Sequence, residues 1–164
     1  KRNSLDENSK QILENVDTFC EKIKKGKEGC PEMLLFARLE SLIAKHSIFE
    51  ALIRAEAFLN AGADGIMIHS KASVNAEEVF EFAKRFREIS DKPLICVPTT
   101  YNQYNNQELI DAGFNIIIHA NHLLRASFKA MKDTIEKLDK DQGSMNLDIG
   151  SVKEIFAITG YDKY

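Results

Sequence analysis

The chain has 164 residues, 44% hydrophobic and 29% charged, which is enough apolar material for one folded unit with a buried core. Its 22 Lys and Arg against 25 Asp and Glu leave a formal net charge of −3, too weak a field to point to nucleic acid or an anionic membrane as a partner. No apolar run approaches the ~18 residues of a membrane span, and no signal-peptide stretch follows the polar start, so a cytoplasmic location is the expectation.

After that polar start, Ile12, Val16, Phe19, Cys20 and Ile23 recur at spacings of three and four, which predicts an amphipathic helix over residues 8–25. Gly26 and Gly29 read as its stop. Met33 to Leu39 is a short apolar run, followed by a helix over 47–61 with Ile48, Ala51, Leu52, Ala55, Phe58 and Leu59 on one face. Gly65 to Ile68 is a second run, with a helix over 76–89 carrying Val79, Phe80, Ala83 and Phe86. Leu94 to Val97 is a third, with a short helix over 105–112, and Phe114 to Ile118 is the fourth. A long helix over 121–140 places Leu124, Phe128, Met131, Ile135 and Leu138 at helical spacing, and a short one over 151–158 follows.

Strands that alternate with helices at intervals of roughly 20 to 30 residues are successive βα units, and near-continuous apolar runs suit parallel strands buried on both faces. The fold class is therefore α/β with a parallel sheet, in one unit over 1–164 whose three prolines only punctuate the runs. Cys20, Cys30 and Cys96 are odd in number and lack CxxC spacing, so neither a disulfide framework nor a zinc site is indicated. The chain begins without Met inside what reads as a loop, which suggests a processed or partial piece.

Ligands of α/β sheets and barrels bind at the carboxyl ends of the strands. Here those ends read Ala37-Arg38-Leu39-Glu40, His69-Ser70-Lys71, Pro98-Thr99-Thr100-Tyr101 and His119-Ala120-Asn121-His122. Arg38 offers a bidentate fork to a carboxylate or phosphoryl group, and His69 can donate a hydrogen bond or a proton. Blander readings stand beside these: Arg38 paired with Glu40 two residues on, His69 satisfied at the rim, and His119 and His122 serving the following helix. His46 reads as solvated in a polar turn. Thr99, Thr100 and Tyr101 can line a pocket, but threonine after a strand is also ordinary turn chemistry.

At these strand ends the sequence resembles the phosphoenolpyruvate mutase branch of the isocitrate lyase superfamily. The likeness is carried by Lys1-Arg2-Asn3-Ser4-Leu5, Ala37-Arg38-Leu39-Glu40, Ala61-Gly62-Ala63-Asp64, Ile68-His69-Ser70-Lys71, Val97-Pro98-Thr99-Thr100-Tyr101, Ala120-Asn121-His122-Leu123-Leu124-Arg125-Ala126 and Ser151-Val152-Lys153-Glu154-Ile155-Phe156. It implies a (β/α)8 barrel, of which this chain supplies about strands five to eight. The missing half of such a barrel carries the Mg²⁺ ligands and the aspartate beside the migrating phosphoryl group, so no metal ligand is expected on this chain.

The same resemblance implies interconversion of phosphoenolpyruvate and phosphonopyruvate, the step that forms the C–P bond in phosphonate biosynthesis. By motif, Arg38 and His69 contact the phosphoryl group. Lys1, Asn3 and Ser4 come from a gating loop over residues 1–7, and Glu40, Thr99 and Asn121 stand behind the contacts. A homodimer or homotetramer is implied, with the C-terminal helix at 151–164 exchanged between subunits. Carbon–carbon lyases of the superfamily carry a thiol where this chain has Asn3, which argues against a lyase. The phosphonopyruvate hydrolase branch tends to lack that asparagine, so Asn3 favours the mutase; a non-catalytic half-barrel is the alternative of another class. Where members usually read Ile-Ala-Gly-Trp-Gly after the Arg-x-Glu strand, this chain has Ile43-Ala44-Lys45-His46-Ser47, an altered turn at the rim.

Overall fold

The structure, a computed structural model, describes residues 11–71 and 75–161. These fall into two compact units that divide between Ala120 and Asn121. The first unit opens with α1 (Val16–Gly29), which starts later and runs further than its apolar periodicity predicts. The Asn15 side chain accepts from the Thr18 amide and sets the N-terminus there, while Ile12 lies outside the helix and is exposed. Gly26 does not stop the helix. A Cβ at that position would approach Leu35 Cδ1 to 2.9 Å, so this glycine serves the close packing of α1 on the segment leading into the sheet.

The sheet has four parallel strands in sequential order: β1 (Phe36–Leu39), β2 (Gly65–Ile68), β3 (Leu94–Cys96) and β4 (Ile116–Ile117). Between them run α2 (Ile48–Asn60), α3 (Glu77–Ile89) and α4 (Asn106–Asp111). Met33 and Leu34, read from sequence as strand, are exposed and precede β1. Alternation along β1 buries Ala37 and Leu39 and turns Arg38 to the opposite face. Ala37 and Leu39 join Ile66, Ile68, Leu94 and Cys96 in a core shared with Ala51, Ala55 and Phe58 of α2 and Val79, Phe82, Ala83 and Phe86 of α3. The small residues of α2 let that helix lie close to the strands, and the phenylalanines of α3 fill the space beside it.

Two polar clamps fix the end of the sheet away from the site. Asp64 accepts from the Leu35 amide at 2.7 Å and from Lys27 Nζ at 2.9 Å, tying the start of β2 to α1 and to the entry of β1. The backbone hydrogen bond holds the Asp64 carboxyl below the usual carboxylate range, and the Lys27 ammonium adds to it. Arg87 of α3 donates to the carbonyls of Gly113, Ser90 and Lys92 and to Asn115 Oδ1, holding the entries to β3 and β4. Gly65 lies where no side chain fits, since a Cβ would come within 2.5 Å of the Pro93 carbonyl and 2.6 Å of the Phe36 ring.

The second unit contains α5 (His122–Asp141) and α6 (Val152–Thr159). Ser151 and Glu154 form a reciprocal capping box at the start of α6, and Gly160 closes it in the left-handed region. Leu124, Phe128, Met131 and Ile135 on α5, and Val152, Ile155 and Ile158 on α6, are all exposed. Among the described residues no helix is long and apolar enough to cross a membrane.

Candidate active site at the carboxyl ends of the strands

Parallel strands in sequential order put all four carboxyl ends on one edge of the sheet, and the side chains there are built from consecutive units. Arg38 sits on the face of β1 opposite the helical core, and Glu40, two residues on, shares that face. His69 follows β2 directly. The Arg38 guanidinium donates through Nε to Glu40 Oε1 and through Nη2 to His69 Nδ1, the latter at 2.8 Å. His69 Nδ1 lies 3.7 Å from the same Glu40 oxygen.

The side chains of Glu40 and His69 are 11% and 7% exposed, whereas that of Arg38 is 37% exposed. The cation is thus more exposed than its two partners. The ion pair with Glu40 orients the guanidinium.

A guanidinium has no acceptor, so the His69 nitrogen that meets Arg38 must carry a lone pair. In this geometry the imidazole is neutral with its proton on Nε2, and His69 is a hydrogen-bond donor. Arg38 and Glu40 also line an open cavity of about 610 Å³, together with Ser41, Phe19, Arg54, Phe58 and residues 11–14. Arg54, which the sequence did not single out, is held in that wall by Glu50 Oε1 at 2.9 Å and by the Glu14 carbonyl at 2.8 Å. It lies one helical turn from its carboxylate partner on α2, an ordinary i,i+4 pair that carried no functional signal.

Thr100 and Ser70 join the site by a different route. Thr100 Oγ1 donates to the Ser70 carbonyl at 3.3 Å, so at the end of β3 it is Thr100, rather than its neighbour Thr99, whose hydroxyl reaches the segment after β2. Tyr101 is fully buried, and burial raises its phenol well above the ordinary range. The thiol of Cys96 on β3 is pushed up to about 12 by burial, which makes it an inert core residue. His119 meets Asn106 Oδ1 at 3.1 Å, linking the end of β4 to α4. Asn121 adopts φ 63° as the residue before α5 and makes no side-chain cap bond to it. His46 is exposed in the altered turn, where Lys45 takes φ 62°. Lys1, Asn3 and Ser4 lie outside the described residues.

The donor set at this edge is a guanidinium, a neutral imidazole and hydroxyls, with the Glu40 carboxylate tied to Arg38. Mg²⁺ takes near-octahedral oxygen ligands. A guanidinium and an imidazole offer it no oxygen, and the carboxylate beside them is already paired to the guanidinium, so these residues do not fit a Mg²⁺ site, whereas they do suit an oxyanion; among the described residues no three His, Cys, Asp or Glu side chains come together to hold a metal ion.

Comparison with known proteins agrees with this geometry. A family model described as phosphoenolpyruvate phosphomutase matches residues 2–139. The phosphoenolpyruvate phosphomutase of Tetrahymena pyriformis is 37% identical over 167 residues, covering 99% of this chain and 55% of its own length. The crystal structure of phosphoenolpyruvate phosphomutase from Streptomyces platensis subsp. rosaceus superposes with a TM-score of 0.92 at 35% identity, covering 99% of this chain and 57% of that one. A phosphonopyruvate hydrolase complexed with oxalate and Mg²⁺ follows with a TM-score of 0.85 at 30% identity, covering 96% and 56%. The chain spans about half the length of these relatives, as a four-stranded portion of a (β/α)8 barrel does. With Arg38 and His69 in contact at the strand ends and a family model running through both, the chain belongs to the phosphoenolpyruvate phosphomutase family.

Proposed function

We propose that the full-length protein interconverts phosphoenolpyruvate and 3-phosphonopyruvate, and that this chain supplies the half of the barrel that grips the phosphoryl group. The observation that carries the reading is the contact between Arg38 Nη2 and His69 Nδ1, which holds a cation and an imidazole from neighbouring strands side by side at the carboxyl end of the sheet. In the forward direction the phosphoryl group leaves the enol oxygen and is captured by C3, so one P–O bond breaks and one P–C bond forms with no co-reactant. A loose transition state spreads charge over the peripheral phosphoryl oxygens. Donors already in place stabilise that charge without reorganising; Arg38 and His69 have that role, and Glu40 keeps the guanidinium oriented.

The remaining parts of the proposal rest on the motifs. Lys1, Asn3 and Ser4 belong to a loop over residues 1–7 that closes on the substrate and excludes water, which otherwise captures the phosphoryl group. Mg²⁺ is held by residues outside this chain, supplying charge neutralisation when bound; a relative that binds it supports this. The protein is cytoplasmic, takes part in phosphonate biosynthesis and assembles as a homodimer or homotetramer. Exchange of the C-terminal helical segment at 151–164 between subunits is supported by the exposed apolar residues of α6 and of α5.

Phosphorus NMR of the full-length protein with phosphonopyruvate and Mg²⁺ tests the reading. A growing phosphoenolpyruvate signal is expected. Inorganic phosphate in its place transfers the assignment to a hydrolase, and no turnover leaves a binding protein.

A further inference from the structure

We propose that Glu78 is a positioning residue for His69, acting through Ser70; the inference deepens the phosphoryl-transfer reading above and rests on it. His69 and Ser70 are the first two residues beyond β2, where the chain leaves the sheet for the loop to α3. Segments leaving a strand end are the easiest part of such a fold to displace, yet this one carries the imidazole that must point at the substrate.

Ser70 is 1% exposed. Its hydroxyl donates to the Glu78 carboxylate in the first turn of α3, and its carbonyl accepts from Thr100 Oγ1 beyond β3 at 3.3 Å. The residue after His69 is therefore held by its side chain from the helix and by its main chain from the next strand end. A buried hydroxyl costs free energy unless it is hydrogen-bonded, so the clasp favours this backbone position over others, and a helix N-terminus favours a carboxylate where Glu78 sits. With residue 70 fixed, the Cα–Cβ direction of His69 is set, and the Arg38 contact then selects the ring orientation and the tautomer. Neither Ser70 nor Glu78 reaches the substrate in this account; they act by aiming a group that does.

The test uses the full-length protein carrying Glu78→Ala, Glu78→Gln, Ser70→Ala and, as control, Glu77→Gln. The control removes an exposed carboxylate from the same helical turn and leaves the Ser70 bond intact. With phosphonopyruvate and Mg²⁺, kcat of Glu78→Ala and Ser70→Ala falls about 10- to 100-fold, the size of effect that small misplacements produce, while KM stays within about twofold. Glu78→Gln keeps an acceptor oxygen and recovers most of kcat. Imidazole ¹⁵N spectra of the ligand-free variants, assigned with His69→Gln, show His69 as the Nε2–H tautomer in the wild type and Glu78→Gln, and as a mixture in the two clasp-breaking variants.

If Glu78→Ala and Ser70→Ala melt lower but keep wild-type kcat, the clasp is only structural and the proposal is overturned. A loss of kcat with an unchanged His69 spectrum overturns it as well. Absence of turnover in the wild type defeats the functional reading alone, because the spectra still decide whether the clasp sets the imidazole.

Discussion

Replacing Arg38 by Ala separates what this residue does for folding from what it does for the reaction. Its side chain is 37% exposed, so water screens the pair with Glu40 and its contribution to stability is about 1 kcal/mol at most. The proposed reaction sets a different condition, because in it the substrate would cover the guanidinium. Removing Arg38 takes a donor from Glu40 and from His69 Nδ1, whose side chains are 11% and 7% exposed, and on the proposed function takes a cation from the migrating phosphoryl group. Truncating one partner of a desolvated charge pair costs about 2–5 kcal/mol, which is roughly 30- to 5,000-fold in kcat/KM. The assay is steady-state turnover of phosphonopyruvate by the full-length protein, beside a thermal melt of each variant. Arg38→Ala, Glu40→Gln and the double variant complete a cycle. Since both residues act through one guanidinium, their losses fall short of additivity by about 0.5–3 kcal/mol. Turnover within twofold of wild type in a folded Arg38→Ala variant, or strictly additive losses, refutes the reasoning.

Three further outcomes concern the scaffold. Gly65→Ala places a methyl 2.5 Å from the Pro93 carbonyl and lowers stability by about 1–3 kcal/mol, as overpacking does; an unchanged urea midpoint contradicts the packing described. Lys45→Gly relieves a non-glycine residue at φ 62° whose side chain is exposed. The gain is up to about 1 kcal/mol, after the larger unfolded-state freedom of glycine offsets part of the relief, and a lower melting temperature counts against it. The folded state depresses the Asp64 pKa, so the stabilisation from its ionised form is fully present above the unfolded-state pKa and is lost as pH falls through the lower, folded one. Asp64→Asn is therefore less stable than wild type at neutral pH, and the difference shrinks with acidification; a difference that stays constant with pH removes the linkage to this carboxyl.

The order of the units was legible from the apolar runs and their spacing, because a parallel strand buried on both faces leaves a short, nearly continuous apolar signature. The span Gly65–Ile68 appears in the fold as read. The first helix was misplaced because two side-chain effects outweigh periodicity: the Asn15 cap delays the start, and Gly26 continues the helix so that Leu35 can pack against it. Arg38, Glu40 and His69 were legible as strand-end residues, since alternation alone puts Arg38 and Glu40 on one face.

Glu78 and Arg54 were not legible, and of Thr100 only its place at a strand end was. Each is a common residue at an ordinary position, and its importance lies in a partner 8, 40 or, for Thr100, 30 residues away in the chain. By itself the sequence determined which residues stand at each strand end, because that depends on a period of two and on where each apolar run stops. Only the tertiary structure decided that Arg38 donates to His69, that the imidazole proton therefore lies on Nε2, and that Ser70 is held from both sides, because those facts depend on the register between strands and on side chains that meet across separate βα units.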